Sequence, residues 1–287
     1  MGALDIQQMN AKEASDYLFE SLKHRVGECA ESTRRAKDGR TPAFAGITPV
    51  IHQLSGLGFF PGGDGLWKEP YSTSPVSQSP RTIMVVGSTF GCEAYLAELL
   101  TKRPVPEENY KIGTWASLPT PLVCHKNNCF FTNAYPGLLK GRNNIDSELR
   151  PAELDSIYMS QSRDFFCLQV EAVKPHLILF LGKLPGFVLG DERLRATGWW
   201  PFLSRKWGWL SEFKSIDIAG KAFIPDTRWH GVKHGVGIAI LLHPCNRRRN
   251  LDKRGLAYPG PDSECVFLED IIAATHSVTP ITPEKED

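Results

Sequence analysis

Three short polar clusters each follow an apolar run in this chain: Gly87-Ser88-Thr89-Phe90-Gly91, Thr132-Asn133-Ala134 and His243-Pro244-Cys245-Asn246-Arg247. Together they supply three hydroxyls, two amides that both donate and accept, and an imidazole. An Asn side chain can pair with a lactam carbonyl and its neighbouring N–H. A His can stabilise negative charge on a departing group, and such electrostatic help is often the largest catalytic contribution. After the last cluster, Arg247, Arg248, Arg249, Lys253 and Arg254 outweigh Asp252. A basic stretch of that kind suits phosphates, although a solvated surface explains it too. A turn accounts for any one of the three clusters alone; the chemistry requires that they meet.

The elements around them give a reason to expect that they do. Thr82 to Val86, Cys129 to Ala134, His176 to Leu181 and Val236 to Leu242 are short, largely apolar runs of β type. Helical patterns lie between them, at Cys92 to Leu100 and from about Pro151 to Val173, where Pro151 suits a first turn and Pro175 a stop. Apolar strands alternating with helices predict an α/β, three-layer sandwich, its mostly parallel central sheet flanked by helices. Such sheets bind ligands at the carboxyl ends of their strands, where the clusters fall. A further helix is expected over 11 to 37, with Leu18, Leu22 and Val26 on one face. Gly39 to Pro80 is rich in Gly, Pro and Ser and reads as a segment wrapping a surface or rimming a site. The expected organisation is an N-terminal helical extension (1–39), a catalytic domain (40–275) and a flexible tail (276–287).

Composition narrows the classes. With 287 residues, 41% hydrophobic and 23% charged, the chain can bury a sizeable core. At a net charge of +1, a nucleic-acid partner must be met by a local patch. The longest apolar run, Val173 to Leu189, is broken by Lys174, Pro175, His176, Lys183 and Pro185, so no membrane span is expected. The start, MGALDIQQ, lacks the basic and apolar regions of an export signal, and the seven scattered cysteines read as reduced thiols. A cytoplasmic or nucleoid-associated location follows. Cys124 and Cys129 have no second pair to complete a four-ligand set, so no metal is expected. His230 and His234 are four residues apart, but Gly231 and Gly235 argue against a helix, and RWHGVKHG reads as a loop near the site. WWPFLSRKWGWL, Trp199 to Leu210, reads as core and rim, with base stacking as the other use.

In this order, the clusters and the stretch FFCLQVEAVKPHLILFLGK (Phe165 to Lys183) resemble the uracil-DNA glycosylase superfamily over about Thr82 to Asn250. The resemblance implies removal of one base from DNA without metal or cofactor. It makes Gly87 to Gly91 the loop that holds the water-activating or charge-stabilising residue and closes over the flipped base. It makes Asn133 the reader of the base edge and His243 the stabiliser of the leaving base anion. Asn246, Arg247, Arg248 and Arg249 then belong to the loop that enters the DNA groove, filling the gap left in the stack. The expected enzyme is a monomer acting on double- or single-stranded DNA. It is monofunctional, because no lysine falls where the motifs place a nucleophile.

The chain departs from the pattern in its first motif. Family members carry a carboxylate or Asn at places held here by Ser88 and Thr89, and a general base near neutral pH is normally a carboxylate or His. Asp64, Glu93 or Asp146 could supply the carboxylate; Thr89 or Ser88 could merely orient water; or the chain could bind without cutting. Gly91 stands where some members place a bulky aromatic, which leaves room for a modified pyrimidine unless Phe90 or Trp115 refills it. Phe90, Trp115 and Phe60 are the candidates for stacking on the base. Of the family's iron-sulfur cysteine positions only one finds a counterpart near it, Cys167, so no cluster is expected. The substrate is uracil or a modified or damaged base, with repair or restriction of modified DNA as the role. The alternatives are a non-catalytic DNA- or nucleotide-binding module and a small-molecule hydrolase on the same fold.

Overall fold

The computed structural model describes residues 6–32, 47–48, 82–89, 122, 128–135, 138–139, 156–182, 188, 223–227, 229, 232, 234–243 and 263–277. Five strands form the main sheet: β2 (Ile83–Thr89), β3 (Cys129–Tyr135), β5 (Leu177–Leu181), β6 (Phe223–Thr227) and β7 (Val236–Leu241), in the order β3-β2-β5-β7-β6. The first four named in that order pair in parallel, and β6 joins the edge antiparallel to β7. A separate two-stranded antiparallel pair joins β1 (Ile47–Thr48) to β4 (Leu138–Leu139).

The four parallel strands are the four apolar runs of the sequence. β3, β5 and β7 are buried at every position, as strands covered on both faces must be. β6, FIPDT, carries Pro225, which cannot donate to a ladder and is tolerated at an edge. Its register with β7 shifts between Ile224 and Thr227.

Helices α2 (Ser156–Val173) and α3 (Ser263–Ser277) cover opposite faces. On one face Phe166 of α2 packs on Phe180 of β5 with ring centroids 6.0 Å apart, and on Trp229 at 5.9 Å, edge to face. On the other, α3 lies so close to β7 that a Cβ on Gly237 would sit 2.7 Å from Thr275 Cγ2. The α3 side chains that turn inward, Phe267, Leu268, Ile271, Ile272 and Thr275, recur at helical spacing.

Helix α1 (Ala11–Ser32) opens with a reciprocal cap: Asn10 N–H donates to Glu13 Oε2 at 3.0 Å, and Glu13 N–H donates to Asn10 Oδ1 at 2.9 Å. Ala11, Ala14, Leu18 and Leu22 share one face and are buried in the common core. Arg25 reaches α2, donating to Gln161 Oε1 at 2.8 Å. Truncating Leu18 to Ala would cost about 2–5 kcal/mol by opening a cavity there.

Helix α2 stops where Pro175 requires. Lys174 takes a left-handed φ of 47°, and its N–H donates to Val170 O at 2.8 Å, closing the last turn before β5. None of the helices described is long and apolar enough to cross a membrane.

Candidate active site at the carboxyl edge of the sheet

The sheet parts at the carboxyl ends of its central strands. The ladder between β2 and β5 stops at Val86↔Phe180. Beyond it, β2 stays with β3 through Gly87↔Asn133 and Thr89↔Tyr135, while β5 stays with β7 through Leu181↔Leu241. The chain leaves β2 for β3 on one side and β5 for β7 on the other, so strand order reverses here. In open α/β sheets this is where ligands enter.

On one side of the split are Gly87, Ser88, Thr89 and Asn133. Gly87, Ser88 and Thr89 are strand residues and not the start of a loop, a correction that follows from the pairing of Thr89 with Tyr135. Strand β3 keeps offering hydrogen-bond partners after β5 has turned away, so β2 remains extended. Ser88 is 4% exposed, and its Oγ is buried with no hydrogen-bond partner among the described residues. Leaving a buried hydroxyl unpaired costs about 1–3 kcal/mol, so its place beside the split is chemically informative. Asn133 is buried at 2% exposure directly beside Gly87.

The neighbour of Asn133 is fixed from the helix layer. Thr132 Oγ1 donates to Gln169 Oε1 on α2 at 2.5 Å, and Gln169 Nε2 donates to Phe165 O at 3.4 Å. The Thr132 hydroxyl is thereby committed to the scaffold. Tyr135 ends the strand with its ring 6.4 Å from that of Tyr158. Burial pushes the Tyr135 hydroxyl and the Cys129 thiol far above their ordinary ranges, so both groups stay neutral.

On the other side is His243, half-buried and two residues past the end of β7. Gly182 positions it from β5. Gly182 has φ +83°, donates its N–H to Leu241 O at 2.8 Å, and approaches so closely that an added Cβ would lie 3.1 Å from His243 Cβ. From the helix layer, Glu264 in the first turn of α3 accepts the N–H of Leu242 at 2.5 Å. Glu264 is fully buried, the only buried carboxylate among the described residues. Because Glu264 lies by Leu242 and Thr275 by Gly237, the N-terminal, partly positive end of α3 points to the same edge.

The strand axes of β3 and β7 are three spacings apart, about 14 Å. Side chains entering from the Asn133 and His243 sides could therefore meet one flat heterocycle between them. Asp64, Phe90, Gly91, Asn246, Arg247, Arg248 and Arg249 lie outside the described residues, as do Glu93, Asp146, Phe60, Trp115, His230, Cys124 and the segments Cys92 to Leu100 and Trp199 to Leu210.

His234 is not near this edge. It stands before β7, where its Nε2 lies 3.1 Å from Pro175 O and its ring stacks on His176 at 4.1 Å. That is the amino edge of the sheet, reached because the loop it sits on enters β7 and does not leave it. Among the described residues no group of three or more His, Cys, Asp or Glu could hold a metal ion.

Three residues that shape the site escaped the sequence reading. Gly182 shows there only as the end of an apolar run. Gln169 looks like any polar helical position. The signal for Glu264 was the apolar spacing after Ser263, which marks a helix with an acidic first turn. No protein-family model matches the chain, and no curated protein matches it.

Proposed function

We propose that this chain is a monofunctional DNA glycosylase with a uracil-DNA glycosylase-like fold, acting as a monomer. It takes a flipped uracil or modified base into the split between β2 and β5 and hydrolyses its bond to the sugar. The observation that carries this reading is the split itself, which has Ser88 and Asn133 on one side and His243 on the other.

The chemistry follows from charge. Breaking an N-glycosidic bond leaves positive charge on the sugar and negative charge on the base. Asn133, donating and accepting, reads the lactam edge of the base. His243 stabilises the departing anion, helped by the positive end of α3, in a site where burial strengthens each interaction. The Ser88 hydroxyl takes its missing partner from the base or from the attacking water. Flipping costs a few kcal/mol, and the basic stretch Arg247 to Arg249 supplies phosphate contacts that offset it. No metal or organic cofactor takes part.

The test is base release from labelled oligonucleotides carrying uracil, hypoxanthine, 5-hydroxymethyluracil or bulky modified cytosines, single- and double-stranded, with alkali to reveal abasic sites. Release of one base, abolished by Asn133→Ala with DNA affinity nearly unchanged, supports the enzyme and identifies its substrate. Uracil or a damaged base points to repair; a bulky modified cytosine points to restriction of modified DNA. The rival is a non-catalytic binding module, favoured by the absence of a carboxylate at Ser88 and Thr89. It predicts no release by any form and weaker DNA binding by Asn133→Ala.

A further inference from the structure

We infer that Glu264 is a positioning residue for His243, holding the imidazole at the carboxyl edge through the Leu242 amide. The inference rests on the glycosylase reading for what His243 does, and on the geometry alone for how it is held.

Strand β7 has a partner on each side over most of its length, β5 on one and β6 on the other. At its carboxyl end the β5 side remains satisfied, since Gly182 N–H donates to Leu241 O. Successive residues of a strand point their backbone groups to alternate sides, so the Leu242 amide faces the β6 side. There β6 begins at Phe223, opposite Ala239, and the described sheet offers Leu242 no strand partner. A buried N–H cannot be left unpaired without cost. Glu264 Oε1 accepts it at 2.5 Å, a short bond.

The residue next along is His243. Its Cβ is bounded from β5 by Gly182, where an added Cβ would come within 3.1 Å and push the His243 side chain aside. The imidazole thus hangs from a backbone clamped on one side by strand β5 and on the other by helix α3. The carbonyl of Leu241 and the N–H of Leu242 belong to one peptide group, so loss of the α3 clamp leaves that group held on its β5 side alone and frees the chain leading into His243 to turn. A displacement of about 1 Å of a group that must face the leaving base costs on the order of a hundredfold in rate.

The test compares Glu264→Leu, which keeps apolar bulk and loses the acceptor, with Glu264→Gln, which keeps a carbonyl acceptor. The first readout needs no substrate. In protein labelled with ¹⁵N-histidine, assigned with His243→Ala, the His243 imidazole signals and their pH midpoint should move in Glu264→Leu and return close to wild type in Glu264→Gln. The second readout uses the base-containing oligonucleotide the wild type cleaves. There kcat should fall about a hundredfold in Glu264→Leu with KM nearly unchanged, and Glu264→Gln should restore most of it. The third uses wild-type protein and covers the case in which Glu264→Leu does not fold. The Leu242 amide proton should resonate far downfield and exchange slowly, and it should move upfield in Glu264→Gln.

Imidazole signals unchanged in a folded Glu264→Leu, or a freely exchanging Leu242 amide, would overturn the inference. If the wild type cleaves none of the oligonucleotides, the glycosylase reading falls, while the imidazole and amide readouts still decide whether Glu264 holds His243.

Discussion

The two edges of the sheet use similar residues for opposite ends. At the amino edge the backbone groups pair with one another, although Thr227 Oγ1 has no hydrogen-bond partner among the described residues. Thr82 O accepts the N–H groups of His176 and Leu177 at 2.9 and 3.4 Å, and Gly237 N–H donates to His176 O at 2.8 Å. His234 lies against Pro175 O and stacks on His176. At the carboxyl edge the ladder between β2 and β5 has parted, Ser88 Oγ has no partner among the described residues, and a backbone amide is held by a buried carboxylate. A sheet edge that closes on itself builds stability. What sets the carboxyl edge apart is the parted ladder, the kind of crevice at which open α/β sheets take ligands.

The largest expected effect separates the two edges by their histidines. His243→Ala should lower base release about 10²–10³-fold, the usual loss for a group that stabilises developing charge. His234→Ala should leave the rate within about twofold, since its ring lies a strand length away, roughly 17 Å. Single-turnover rates decide; equal losses would erase the distinction between the edges.

The glycines sharpen it. Gly237→Ala forces a Cβ to 2.7 Å from Thr275 Cγ2, and Thr275 is pinned by its hydroxyl on Ile272 O at 2.8 Å. Gly182→Ala meets both His243 Cβ and a φ of +83°. Each should cost about 1–3 kcal/mol in urea unfolding. Only Gly182→Ala should also lower kcat, because only it pushes on the His243 side chain to which the proposal gives the leaving base. Matching losses of kcat in folded samples of both would sink the assignment of edges.

Strand β3 offers a third comparison, since Cys129 stands at its amino end and Tyr135 at its carboxyl end. Burial raises both groups' folded pKa, so the native state holds its protons more tightly than the unfolded chain. The contribution is fully present below the unfolded values and declines as pH rises past them, from about pH 8.5 for the thiol and about pH 10 for the phenol. Each group should lower stability by up to about 1.4 kcal/mol per pH unit above its own value. Urea midpoints from pH 8 to 11 should fall less steeply in Cys129→Ala and in Tyr135→Phe, the former from the lower pH. A flat wild-type profile would contradict the burial of both.

The smallest effect is the most diagnostic of purpose. Ser88→Ala removes a hydroxyl that makes no bond in the described protein, so stability should stay level or rise by about 1 kcal/mol. Base release should nonetheless fall, about tenfold, if the hydroxyl meets base or water. A stability loss with unchanged release would make Ser88 an ordinary core residue.

The largely apolar character of TIMVV, CFFTNA, HLILFL and VGIAILL, without a polar residue at every second place, was enough to specify buried parallel strands, because a strand covered on both faces lacks the alternation of a half-exposed one. Pro175 likewise specified the end of α2. Strand β6 was not legible, since FIPDT contains a proline and a charge and owes its extended form to β7 alongside it. Nor was the length of β2 past Gly87, which depends on β3 continuing to pair with it. His234 was misplaced because spacing shows that a loop adjoins a strand but not which edge of the sheet that loop occupies.

The sequence by itself determined the layers of this protein and the order in which its polar clusters follow the strands, because apolar periodicity and proline act locally. Only tertiary structure decided where the sheet parts, that Gly182 and Glu264 grip the chain around His243 from two layers, and that the Ser88 hydroxyl meets no hydrogen-bond partner among the described residues. Each of those depends on whether a second element, distant in the chain, arrives to satisfy a backbone or hydroxyl group. No local pattern of side chains carries that information.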